Sequence, residues 1–368
     1  MAKILYVTNA RMPTEKAHGL QIMKTCEALA RAGNELTLVA PRRRNTLPPD
    51  IFAYYKISTR FPVRRLFTLD VRFGRLGFLI QEFTFALVAA MTLSRSGYDL
   101  VYGRDDVVLA ALSFLGFKHI VWESHDGAWN IFARFIARRS HALVVVSAGL
   151  RDWYIEKGIP NAKIIVIPNA VDPEEFSHPE SKEDARRRLG LRPDAKIALY
   201  IGRFDGWKGT DTLLEASNYV DDIQITLIGG DVRHIESLRK QYPKAVLLGS
   251  RPYSELPNNQ AAADVLVVPN TGKSEISTRF TSPLKLIAHL SAWRPIVASN
   301  LPSIREIVGD DGALLVPPDD PRALAEGIKR LFDDEGYREH LAHRAHERAA
   351  SYTWAARAEA IDRILKRI

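Results

Sequence analysis

The chain has 368 residues, of which 46% are hydrophobic, enough apolar material for a large core and more than one core usually holds, so two domains are predicted. Its formal net charge of +8 is uneven: residues 1–170 carry 23 Lys and Arg against 13 Asp and Glu, and the remainder is close to neutral. A single cysteine, Cys26, excludes an internal disulfide or a thiolate metal cluster, and its spacing with Ile22 and Leu29 in a helical pattern reads as core packing.

The opening Met1-Ala-Lys-Ile-Leu-Tyr-Val-Thr8 goes straight into a strand pattern instead of a signal peptide. The longest apolar run, Leu76 to Leu93, is broken by Gln81 and Glu82, so no spanning helix is predicted and the expectation is a soluble, cytoplasmic protein. Short runs of Val, Ile and Leu alternate with helical patterns throughout, the pattern of parallel sheets covered on both faces. A first set of strands is predicted at Lys3–Thr8, Glu35–Ala40, Asp99–Tyr102, His119–Glu123, Ala142–Ser147 and Lys163–Ile167. A second is predicted at Lys196–Ile201, Gln224–Ile228, Ala245–Leu248, Asp264–Val268, Pro295–Ala298 and Ala313–Val316. Between the sets, Pro168–Pro193 reads as a linker with a short charged helix, Lys182–Leu189. The expected division is an acceptor-side domain over 1–172, a donor domain over 173–350 and a closing helix over 351–368 that packs back on the first domain. Each domain is a doubly wound α/β unit, and ligands of such sheets bind beyond the carboxyl ends of the strands.

Just past the first strand, a loop ends in Gly19 before a helix predicted from Leu20, an arrangement suited to phosphate or sugar hydroxyls, although many βα turns need such a glycine. Between Arg42 and Phe78 the cations Arg42, Arg43, Arg44, Lys56, Arg60, Arg64, Arg65, Arg72 and Arg75 meet only Asp50 and Asp70 and alternate with Phe52, Phe61, Phe67, Phe73 and Phe78. That stretch is either a solvated basic face or a surface for anionic lipid; nothing in the chain resembles a nucleic-acid module. Asp105-Asp106 reads as the start of a helix rather than a metal site. His125, between Glu123 and Asp126 at a strand end, is a candidate for sugar hydrogen bonding or proton transfer. In the second half, Tyr200-Ile-Gly-Arg-Phe-Asp-Gly-Trp-Lys-Gly209 sets Arg203 and Lys208 in a glycine-bearing loop between strand and helix. Alone it is either a diphosphate site or a βα loop with two solvated cations. Gly230 and Arg251 follow later strands, where backbone groups can take the edge of a base, and Ser282-Pro283 reads as a strong helix start.

Taken together these pieces resemble the retaining GT-B glycosyltransferases of family 4, over nearly the whole length. The resemblance rests on the glycine loop, His125, Ser147, Ile167-Pro-Asn-Ala-Val-Asp172, the loop at 202–209, Ser282-Pro-Leu-Lys-Leu286 and Arg294-Pro-Ile-Val-Ala-Ser299. It implies two Rossmann-like domains facing a central cleft, and transfer of a sugar from a nucleotide diphosphate donor to a lipid-linked, glycan or small-molecule acceptor without a metal or other cofactor. By resemblance Arg203 and Lys208 hold the diphosphate and His125 contacts the transferred sugar. Gly19, Phe280, Thr281 and Ser282 complete the donor-sugar pocket, and Gly230 and Arg251 lie where the nucleobase passes. Family members usually carry two glutamates where this chain has Phe280 and Ala288, and a glycine where it has Trp293; Glu275, nearby in the loop, is a candidate substitute for the ribose-binding carboxylate. The missing acid also opens a second reading, a GT-B protein serving as a non-catalytic partner in glycan or lipid assembly. A nucleotide-sugar epimerase on the same fold is disfavoured, since the motifs are those of transfer.

Overall fold

The computed structural model describes residues 1–71, 73–94, 97–204 and 206–367, apart from the side chains of 232–234. It divides into a first unit, Met1–Pro168 with Trp354–Ile368, and a second, Asn169–Thr353.

The first unit is built on a parallel sheet of β1 (Lys3–Val7), β2 (Glu35–Pro41), β3 (Val63–Leu66), β4 (Leu100–Gly103), β5 (Ile120–Ser124), β6 (Ala142–Val145) and β7 (Ile164–Val166), in the order β3-β2-β1-β4-β5-β6-β7. Strands of this kind are continuous apolar runs because helices cover both faces, and β1, β4, β5 and β6 are buried almost throughout. The sequence reading missed β3, whose Val-Arg-Arg-Leu carries two exposed arginines and pairs only with β2, Leu38 opposite Val63. The helix expected from Leu20 begins at Ala17 and runs to Arg31, burying Ile22, Cys26 and Leu29.

Helix Gly74–Thr92 corrects another expectation, since by length and composition alone it could cross a bilayer. Its Gly77, Gln81, Phe85 and Ala89 face is buried in the unit, and Gln81 Nε2 donates to Asn9 Oδ1 at 2.7 Å. The opposite stripe, Leu76, Leu79, Phe83, Leu87 and Met91, is exposed. The closing helix Trp354–Leu365 belongs to this unit: Asn34 Nδ2 donates to Asp362 at 3.0 Å, and Arg357 Nη1 donates to the carbonyls of Ile167 and Pro168 at 2.8 and 2.7 Å.

The second unit repeats the plan with β8 (Lys196–Ile201), β9 (Ile223–Ile228), β10 (Val246–Leu248), β11 (Val265–Val268), β12 (Ile296–Ser299) and β13 (Leu314–Val316), in the order β10-β9-β8-β11-β12-β13. Alternation along β8 divides the core: Ile197 and Leu199 join one buried cluster, Ala198 and Tyr200 the other. The expected linker is part of this unit. Phe176, Ala185 and Leu189 are buried, and Arg186, on helix Lys182–Leu189, is held by Asp264 at 2.8 Å and by the Ala262 carbonyl at 3.0 Å. Its prolines make turns without loosening the chain. In both sheets the order reverses at the centre, between β1 and β4 and between β8 and β11, and in each unit the loops at that place hold candidate site residues.

Candidate active site

In the first unit, the loops after β1, β4 and β5 enclose a cleft of about 720 Å³ lined by Asn9, Lys16, His18, Arg104, Asp105 and His125 among others. The ends of β1 and β4 are tied by Asp105, whose Oδ2 accepts from the Asn9 amide at 2.6 Å. Asp105 occupies the position before helix Asp106–Phe114, but its side chain serves Asn9 and does not cap that helix. Its carboxyl is pushed up to about 6 by burial and the neighbouring Asp106, against the pull of the Asn9 hydrogen bond.

His125 stands at the cleft on a buried ionic group that sequence reasoning saw only in part. Its Nε2 lies 2.5 Å from Oε1 of Glu123, which also meets Arg104 Nη2 at 2.9 Å and Arg357 Nη2 at 2.5 Å, while the Tyr102 hydroxyl donates to Glu123 Oε2. Burial pushes the Glu123 carboxyl up, and the two guanidiniums with His125 more than reverse this, holding it well below the usual carboxylate range. Burial and Arg104 push His125 down to about 4 in spite of Glu123, so the ring is neutral at pH 7. A neutral ring donating from Nε2 to a carboxylate keeps Nδ1 as an acceptor, suited to a hydroxyl proton. Asp126, the other expected neighbour, is exposed and accepts from the Ala128 amide at 3.2 Å. Arg104 was missed because its role depends on Glu123 next door in the sheet, and Arg357 because no local spacing connects a closing helix to β5.

Gly19 lies inside the first turn of helix Ala17–Arg31, not before it, and its amide donates to the Lys16 carbonyl at 3.0 Å. A side chain there has no room: a Cβ would fall 2.2 Å from the Tyr55 hydroxyl, which accepts from Thr14 N at 2.6 Å. This glycine lets Tyr55 pin the loop that lines the cleft.

In the second unit, loops after β8, β9 and β11 interlock backbone to backbone. A Cβ on Gly229 would meet the Gly202 carbonyl at 1.8 Å, one on Gly230 the Phe204 ring at 2.5 Å, and one on Gly209 the Pro269 carbonyl at 1.8 Å. Gly209 also has φ +67°, in the left-handed region, directly before helix Thr210–Ala216. The loop carrying the two cations is thereby fixed at both glycines, with the Tyr200 hydroxyl donating to the Arg203 carbonyl at 2.8 Å. Lys208 Nζ sits 3.2 Å from the centroid of the Trp207 ring, and Arg203 is exposed. A third cation, Lys285, lies 4.2 Å from the centroid of Tyr200 and so joins this group; it stands within the Ser282-Pro-Leu-Lys-Leu286 stretch, where its charge was the available signal. Three ammonium and guanidinium groups about one βα loop can stabilise a diphosphate.

The remaining sites are distributed as follows. Arg251 is exposed past β10. The polar loop expected over 273–281 contains a single π-helical turn, Ile276–Phe280, in which Glu275 faces Arg279 at 3.7 Å and Phe280 is buried. Ser282 does not cap the next helix, Leu284–Leu290: its hydroxyl accepts from the Asn169 amide at 3.0 Å and its carbonyl from Asn169 Nδ2 at 2.6 Å, and Pro283 takes the cap position. Thr281 beside it is half-buried. Ala288 is fully buried among aliphatic side chains. Trp293 adopts φ +52°, in the left-handed region that favours glycine, and it stacks on His346 at 3.7 Å between ring centroids. Among the described residues, no three His, Cys, Asp or Glu side chains converge in a way that could hold a metal ion.

Two family models match the chain: Glycosyltransferase Family 4 over residues 19–175 and Glycosyl transferases group 1 over residues 195–334. A putative teichuronic acid biosynthesis glycosyltransferase, TuaC of Bacillus subtilis, is 23% identical over 92% of both chains. A D-inositol 3-phosphate glycosyltransferase of Kineococcus radiotolerans is 29% identical over 57% of this chain, a stretch that spans about half of that protein (53%). Among solved structures, a sucrose-phosphate synthase from Thermosynechococcus elongatus superposes with a TM-score of 0.81 at 21% identity, over 100% of this chain and 99% of that one. Anabaena HepE in complex with UDP and glucose does so with a TM-score of 0.79 at 18% identity, over 100% of both chains. The fold is GT-B, with two Rossmann-like parallel-sheet units.

Proposed function

The chain belongs to glycosyltransferase family 4, and from that membership we propose that it is a retaining, metal-independent transferase taking a sugar from a nucleotide diphosphate donor to a lipid-linked, glycan or small-molecule acceptor. The observation that carries the proposal is the glycine-locked loop of the second unit with Arg203 and Lys208, set where the strand order reverses. In the proposed reaction the C1–O bond to the diphosphate breaks as the acceptor oxygen forms its bond on the same face, and the acceptor proton passes to the departing phosphate. No protein nucleophile is required. Arg203 and Lys208 meet the charge that develops on the leaving group, and His125 of the first unit holds a sugar hydroxyl with its neutral ring. Lys208→Ala is expected to reduce transfer about 10²–10³-fold with the fold intact; unchanged turnover would remove Lys208 from the mechanism.

We also propose that the protein sits at the inner face of an anionic membrane through the basic region 42–75. Arg64 and Arg65 are exposed on β3, Phe67 and Phe73 are exposed beyond it, and the apolar stripe of helix Gly74–Thr92 faces outward. Arg72, counted with these cations in the sequence, lies outside the described residues. Reversing the charge of Arg64 and Arg65 is expected to reduce sedimentation with anionic liposomes.

One observation favours the second reading, a non-catalytic partner: the position of the usual ribose-binding carboxylate is Ala288, sealed in the apolar core. Calorimetric titration with UDP, GDP and ADP separates the two. Binding of one nucleotide supports the transferase, and binding of none supports the partner.

A further inference from the structure

We propose that the cavity at the carboxyl ends of β1, β2 and β3 in the first unit is a subsite for a phosphate group carried by the acceptor. The proposal rests on the transferase reading for the word acceptor, and on geometry for the word phosphate. The cavity measures about 300 Å³ and is lined by Arg11, Arg43, Arg44, Thr46 and Asp70. It adjoins the His125 cleft, with which it shares Arg11 and Arg43.

Asp70 organises the cations instead of cancelling them. Its Oδ1 accepts from Arg43 Nε at 3.0 Å and its Oδ2 from the Arg44 amide at 2.9 Å. Held by Nε, Arg43 has both Nη groups without a hydrogen bond among the described residues, and the Arg44 guanidinium makes neither a hydrogen bond nor an ion pair there. Arg11 is steadied from the other side by Glu15, with Nη2 at 2.7 Å from Oε2. Three guanidiniums against two carboxylates leave a net positive pocket. The Asp70 clamp fixes one planar donor fork in advance, which lowers the ordering cost of binding an oxyanion. The Thr46 hydroxyl adds a neutral donor. Arg43 is only 26% exposed at its side chain and tethered, unlike Arg64 and Arg65, which stand exposed on β3; the pocket is built for one group and the β3 surface for a diffuse field. The fitting ligand is a phosphate ester or diphosphate, carried on a soluble polyol or sugar or on a lipid.

Titration of the whole chain with inorganic pyrophosphate tests this, because the second unit supplies an independent diphosphate site. Two equivalents are expected for the natural chain. Arg43→Gln/Arg44→Gln should lose one, Lys208→Ala the other, and Asp70→Asn should weaken the first at least tenfold while the Lys208-dependent equivalent stays. An isotherm for Arg43→Gln/Arg44→Gln that matches the natural chain overturns the subsite. An Arg43-dependent equivalent in a chain that binds no UDP, GDP or ADP leaves the subsite standing and removes the transferase reading instead. Displacement of this equivalent by phosphatidic acid vesicles, and not by phosphatidylcholine vesicles, assigns the phosphate to a lipid; displacement by glucose 6-phosphate assigns it to a soluble acceptor. Displacement by none of these overturns the proposal.

Discussion

Glu123→Gln keeps the shape of a fully buried side chain and removes the carboxylate that pairs with both Arg104 and Arg357, whose side chains are 12% and 2% exposed. Leaving buried cations without their carboxylate costs about 3–5 kcal/mol where the geometry is as close as here. That is a large part of the roughly 5–15 kcal/mol that stabilises an ordinary domain. Denaturant unfolding followed by tryptophan fluorescence is a suitable assay, since Trp122 is buried beside the group and its Nε1 donates to the Arg104 carbonyl at 3.0 Å. Arg357→Gln should cost a similar amount, and the double variant less than the sum, with a coupling of at least about 1 kcal/mol. The pH dependence supplies an independent sign. The folded Glu123 carboxyl titrates well below its unfolded value of about 4.5, so below pH ~4.5 the unfolded chain binds more protons and the contribution fades. The gap between natural chain and Glu123→Gln should therefore be constant above pH ~5 and narrow as pH falls. A cost under about 1 kcal/mol for either single variant, or strict additivity, would refute the view that this ionic group holds the first unit together.

Gly209→Ala forces a left-handed alanine whose Cβ falls 1.8 Å from the Pro269 carbonyl, and is expected to lower stability by about 2–4 kcal/mol in thermal unfolding, with looser binding of any diphosphate. At Trp293, glycine should be the better of two truncations: Trp293→Gly and Trp293→Ala both lose the His346 stack, but only glycine relieves φ +52°, so it should be about 1 kcal/mol more stable. Equal stabilities would mean that this backbone position carries no strain.

The regular parts of the fold were legible because buried parallel strands carry long apolar runs, and helix Lys182–Leu189 begins and ends where the residues predict. Edge strand β3 escaped because it has one sheet neighbour and an arginine-rich sequence, so its apolar pattern is short. Proline content suggested a linker at 168–193, yet the burial of Phe176, Ala185 and Leu189 depends on partners far along the chain. The same limit governed the site. Loop residues Arg203, Lys208 and His125 announce themselves by position after a strand, whereas Asn169 drawing Ser282 away from its helix, or Asp70 orienting Arg43, are tertiary choices among several polar partners. A side chain able to cap a helix will do so only when no buried amide needs it more.

The second unit is one continuous stretch, Asn169–Thr353, interposed within the first. During synthesis its last residue leaves the ribosome before Arg357 does, so the later domain in order of sequence is the earlier one to have every residue it needs. Throughout that interval the sheet of the first domain is present without the helix that neutralises Glu123 and ties down Ile167 and Pro168. A nascent chain at this stage carries a finished domain beside an unfinished one, which makes the latter the part most dependent on chaperones.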